Sequence, residues 1–174
     1  EPAPIPEDEF QGIDWDKIVR IGREIIEIIK ANQPVVNIKR DVVAAIPDGI
    51  SDWQVLAGWQ VPVTRVFRVW MKNAFGMTMV DIRLKASAMY GGNYQDRGRY
   101  LANVIIVPTQ VVVHWGVTLD IWSEVREPVN VGTMAQPVAG LGFDLRYRAK
   151  TMMSEINGAQ DYFITGNGDM HVLQ

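Results

Sequence analysis

The chain has no cysteine in 174 residues and only two histidines, His114 and His171. The first absence excludes disulfides, thiolate nucleophiles, iron–sulfur clusters and zinc–thiolate sites. The second leaves too few imidazoles for a histidine-built metal centre. No run approaches the ~18 apolar residues of a membrane-spanning helix. No Asn-x-Ser/Thr site is present. Net charge is also scarce, at −3. Glu1, Glu7, Asp8 and Glu9 account for that deficit, and the remainder carries 17 bases against 16 acids. A nearly neutral body has no field to gather nucleic acid, so no nucleic-acid partner is expected. The clusters Lys39-Arg40, Arg65/Arg68 and Arg146/Arg148/Lys150 read as solvent-facing strand charges.

What is present is ordinary for a globular protein: 48% hydrophobic and 21% charged residues. Residues 1–12, with three alternating prolines among acids, read as an extended tail. Residues 13–174 read as one domain. The chain starts at glutamate rather than methionine, and the expectation is a processed, secreted protein.

Residues 14–31 predict an amphipathic helix. Asp14 suits the N-cap, Asp16 complements the helix dipole, and Ile13 and Ile18 form a hydrophobic staple. At ~100° per residue, Trp15, Ile18, Ile21, Ile25, Ile28 and Ile29 share one half of the wheel. Arg20, Glu24 and Glu27 lie on the other half. Isoleucine is a mediocre helix former, so packing or a membrane interface has to offset its cost. Eighteen residues at ~1.5 Å give ~27 Å, close to the thickness of a hydrocarbon core.

Beyond Pro34 the period changes to two. Strands are predicted at 35–46, 61–72, 77–89, 99–107, 110–122, 138–150, 161–165 and 169–173. A glycine-rich loop is predicted at 90–94, and Gly166-Asn167-Gly168 is a hairpin signal. Strands that do not alternate with helices argue for an antiparallel β-sandwich, here with an N-terminal helix.

No catalytic set emerges, and neither a cofactor nor a metal is implied. Asp14/Asp16 and Asp120/Glu124 lack the frame of a glycosidase pair. Gly166-Asn167-Gly168-Asp169 is too short for a calcium loop. The expectation is a protein that is not an enzyme. Trp53, Trp59, Tyr90 and Tyr94, with Arg97 close by, read either as loop-borne rings suited to a lipid or sugar surface or as caps on the ends of the sandwich core. Trp70, Trp115 and Trp122 read as core.

Asn37-Ile38-Lys39-Arg40, followed by an apolar strand and then Asp48, Ser51 and Trp53, resembles the actinoporins. These are small, cysteine-free cytolysins with a helix before a β-sandwich. The resemblance covers residues 13–56. It implies membrane attack: docking through loop aromatics, with Lys39 and Arg40 at the lipid, then insertion of the helix and formation of a homo-oligomer. Arg20, Glu24 and Glu27 would face the pore. The family's tyrosine- and tryptophan-rich middle segment and its Arg-Gly-Asp tripeptide are absent, so sphingomyelin specificity does not carry over. The alternative is a secreted lectin-like or oligomer-forming sandwich that binds a glycan and keeps its helix packed.

Overall fold

The structure is a computed structural model, and it describes residues 14–21, 36–39, 43–50 and 52–173. The eleven strands are β1 (Asp14–Ile21), β2 (Val36–Lys39), β3 (Val43–Asp48), β4 (Val63–Lys72), β5 (Thr78–Tyr94), β6 (Arg97–Val113), β7 (Thr118–Val125), β8 (Val129–Asn130), β9 (Ala139–Lys150), β10 (Glu155–Thr165) and β11 (Met170–Leu173). One sheet has the order β1-β3-β6-β5-β4 and the other β11-β10-β9-β7-β2, with β8 also on β9. Pairing is antiparallel except between β2 and β7. The mainly β, sandwich-like architecture agrees with the sequence reading.

The alternation of residue types explains the layers. Val80, Ile82, Leu84, Ala86 and Ala88 of β5 are buried, as are Leu141, Phe143 and Leu145 of β9. Phe67 of β4 stacks on Tyr162 of β10 across the two sheets, with centroids 4.1 Å apart. On the outer face three of the bases have acidic partners. Arg68 pairs with Asp81 at 2.8 Å, Arg146 with Glu124 at 3.1 Å and Arg148 with Asp120 at 3.0 Å. The hydrogen bond from Arg68 holds the Asp81 carboxyl below its usual range.

The expected helix at 14–31 is not what its first half forms. Asp14–Ile21 is a strand on the edge of β3, and residues 22–31 lie outside the described residues, as does the tail at 1–12. Ile18, Val19 and Ile21 are β-branched, stiff in a helix and well suited to a strand. The edge of β3, with which Ile18–Ile21 pair in continuous register, then outweighs amphipathic periodicity.

Three further boundaries differ. The strand expected at 35–46 is two strands, β2 and β3, in different sheets. The strands expected at 99–107 and 110–122 divide elsewhere. β6 runs through Pro108, and the break comes at His114–Gly116. Leu84 pairs with Pro108 and Arg83 with Gln110, so Thr109 is an extra residue in a bulge, where proline is tolerated. The glycine-rich loop expected at 90–94 is the end of β5. The turn lies at Gln95-Asp96, with φ of 51° and 61°, the two left-handed residues that a two-residue hairpin of type I′ requires.

Candidate functional site

The two ends of the sandwich differ in how they use their bulky side chains. The first end holds the rings singled out from the sequence. Trp53 sits in a 3-10 turn, Trp53–Val55, capped by the Asp52 side chain. It meets Trp59 edge-on at 5.9 Å. Trp59 lies against Gly92, where a Cβ would come within 2.5 Å of the indole. Backbone bonds tie this loop to β5: Ala57 and Asn93 donate to each other's carbonyls at 2.8 Å, and Gln60 donates to Tyr90 at 2.9 Å. Tyr90 covers Gly168 in the same way.

Trp53, Trp59 and Tyr90 thus pack against the core as partly buried rings. Tyr94, expected at a ligand surface, is 5% exposed, and burial raises its phenol pKa. Its place in a strand rather than a loop turns the ring inward. Arg97 donates from Nε to the Ala135 carbonyl at 3.1 Å and from its terminal nitrogen to the Met134 carbonyl, pinning the 131–137 loop. Lys39 lies on β2 in register with Trp122. Trp15, Ile18, Arg20 and Ile21 lie on β1, whereas Glu24, Ile25, Glu27, Ile28, Ile29 and Arg40 are outside the described residues.

The second end carries what the sequence reading missed. Three turns meet there: Asn73–Met77 between β4 and β5, His114–Val117 between β6 and β7, and Thr151–Ser154 between β9 and β10. Their tips hold Phe75 at 95% exposed, Trp115 at 85%, Met152 at 101% and Met153 at 96%. Met77 adds a further partly exposed apolar side chain. None of the residues in these three turns is Asp, Glu, Lys or Arg. Among the described residues, the first end exposes Val61 and Met134 but no aromatic ring to this degree.

Local hydrogen bonds fix each tip outward. Asn73 Oδ1 accepts from the Phe75 and Met77 amides, both at 3.0 Å, and Gly76 takes a φ of 78°. Val117 donates to the His114 carbonyl at 3.2 Å across Gly116. Thr151 Oγ1 accepts from the Ser154 amide at 3.0 Å, and the Thr151 amide donates to the Ser154 carbonyl at 2.8 Å. The His114 amide donates to the Met79 carbonyl at 2.8 Å, joining the second turn to β5 beside the first. The turn chemistry is therefore satisfied by Asn, Gly, Thr and Ser, while Phe75, Trp115, Met152 and Met153 stand in water. Bulky apolar residues at turn tips, where polar ones are the rule, were the signal available in the sequence. Trp115 was expected in a strand and in the core; it is neither.

Elsewhere, ion pairs link charged side chains. The Arg126 guanidinium spans Asp144 at 2.9 Å and Asp161 at 3.2 Å, and the Asp144 contact raises its pKa. Asp120 and Glu124 are held by Arg148 and Arg146. Among the described residues no group of three or more His, Asp or Glu is placed to hold a metal ion. No helix among them is long and apolar enough to cross a membrane. Comparison with protein-family models, with curated proteins and with solved structures finds no match to this chain.

Proposed function

We propose that this protein is a membrane-docking module whose contact surface is the end bearing Phe75, Trp115, Met152 and Met153. One observation carries the reading: four large apolar side chains, nearly fully exposed, stand on three separate turns at one end of the sandwich, without a charge among those turns. Water is a poor solvent for such a surface, and a patch of this kind marks an interaction site. Trp and Met suit an interface where one part of the side chain is wet and the rest apolar.

The energetics fit reversible docking. Burying a large apolar side chain contributes about 1.5–3 kcal/mol, so four contribute roughly 6–12 kcal/mol. Association costs of about 4 kcal/mol or more leave a modest surplus. The rim adds little net charge: Lys72 and Lys150 flank the turns, and Glu155 stands opposite Lys150.

The permeabilising step implied by the resemblance to actinoporins belongs to the N-terminal segment. Its support is positional. Among the described strands β1 stands at the end of its sheet and pairs with β3 alone, so its departure leaves β3, β6, β5 and β4 joined. The test is sedimentation with phosphatidylcholine vesicles, with and without anionic lipid, reading dye release in the same samples. Binding is the expected result, and release steep in protein concentration would add oligomeric insertion. Absence of binding to every vesicle would overturn the reading.

A further inference from the structure

The docking end is not solid. Between the two sheets, just inside the three turns, lies a half-open cavity of about 300 Å³. Its wall is mostly apolar, with Met71, Met79, Val80, Val117, Ala149 and Ile156. Lys72, Asn73, Thr151 and Ser154 supply the polar part of the lining. Three of these are already occupied with the turns. Asn73 Oδ1 holds two amides, and Thr151 and Ser154 bond each other. Their hydrogen-bonding capacity is spent locally, so the cavity offers an occupant apolar contact rather than a polar recognition code. Lys72 ends β4 as an exposed cation beside the opening.

We propose that this cavity takes the hydrocarbon chain of a single lipid, drawn from the bilayer on which the surrounding tips dock. The inference rests on the docking reading and names the ligand class of the same end. The size suits such an occupant. A methylene fills about the share of volume that a water has in the liquid, about 30 Å³, so there is room for about ten carbons. That is the lower end of the range of small-molecule sites, which are likewise mostly apolar with few polar groups. Met71 and Met79 are unbranched and adapt to a flexible chain better than leucine does. Position is the second argument. Asn73, Ala74, Val117, Thr151 and Ser154 of its lining belong to the same three turns that carry Phe75, Trp115, Met152 and Met153, so docking through those tips would bring the cavity close to the acyl region. A chain leaving the bilayer there need not cross water. Lys72 stands where the phosphate or carboxylate of that lipid would remain.

The test uses the intact protein and monoacyl phosphocholines of increasing chain length, kept below their micellar concentrations, alongside free fatty acids and phosphocholine itself. Calorimetry is expected to show one chain bound per protein, tightening with length and levelling near ten carbons. Phosphocholine alone should not bind, and fatty acids should bind as the phosphocholine lipids do. Ile156→Trp and Ala149→Val fill the cavity from two strands. Each should weaken chain binding by about tenfold or more, the effect of denying a few methylenes their burial. Thermal unfolding checks that both variants remain folded, and vesicle sedimentation is expected to persist in Ile156→Trp. No chain binding by the unaltered protein, equal binding by both variants, or binding carried by the headgroup alone would overturn the inference. Chain binding without vesicle binding would support the cavity's occupant and refute the docking reading.

Discussion

Phe67 and Tyr162 stack with their centroids 4.1 Å apart and their planes at 29°, and they come from opposite sheets. Phe143, the cross-strand partner of Tyr162 on β9, also stacks on it, at 5.2 Å. The contact places a phenol inside the sandwich, and burial pushes its pKa far above the usual tyrosine range.

That shift has a sign. The folded phenol holds its proton to higher pH than the unfolded one, so its contribution to stability is complete below about pH 10 and is lost as pH rises from there. Tyr162→Phe is expected to change stability little at neutral pH and to remove much of the alkaline loss. Tyr94, also raised by burial, supplies what remains. Urea unfolding from pH 7 to 11 checks this. Parallel loss of stability in both proteins would contradict it.

Trp59 and Gly92 give a second prediction. A Cβ at residue 92 would meet the indole at 2.5 Å, and the ring is wedged between β5 and Trp53. Gly92→Ala should cost about 1–3 kcal/mol as an overpacking change. In a Trp59→Leu background the cost should shrink. An undiminished cost there would mean that the backbone, not the ring, needs glycine.

The β5–β6 turn holds Gln95 and Asp96 at positive φ. Replacing the pair by Asn-Gly, the preferred sequence for this turn, should stabilise the protein by about 0.5–1.5 kcal/mol. Equilibrium unfolding reads the change, and a loss of stability would show that the Asp96 side chain does something the turn geometry does not.

Much of the sandwich was legible. β4 and β5 follow their alternation, because each has one face against the core. The errors have physical causes. Residues 14–21 carry a helical period and a strand's residue types at once, and the open edge of β3 decides between them. Pro108 looks like a break but occupies a bulge. Gly91 and Gly92 look like a loop, yet one glycine makes room for Trp59 within the strand. At the candidate site, the valines before His114-Trp115 give the turn the residue types of a strand. Neither period nor composition says that three distant turns converge. That convergence is set by the pairing of β4 with β5, β7 with β9 and β9 with β10.

Docking driven by rings and methionines has a distinctive salt response. With no charged side chain in the three turns, screening removes little attraction. Affinity for phosphatidylcholine vesicles is expected to change by less than about threefold between ~0.05 and ~0.5 M salt. A steep fall would place the contact on the basic strand faces instead.

The most direct test of membrane docking compares the unaltered protein with Phe75→Ser/Trp115→Ser in vesicle sedimentation. Both side chains are nearly fully exposed, so stability should change by no more than about 1 kcal/mol. The account predicts at least about a hundredfold weaker partitioning, from two lost insertions of about 1.5–3 kcal/mol each. Equal partitioning by the two proteins would contradict it.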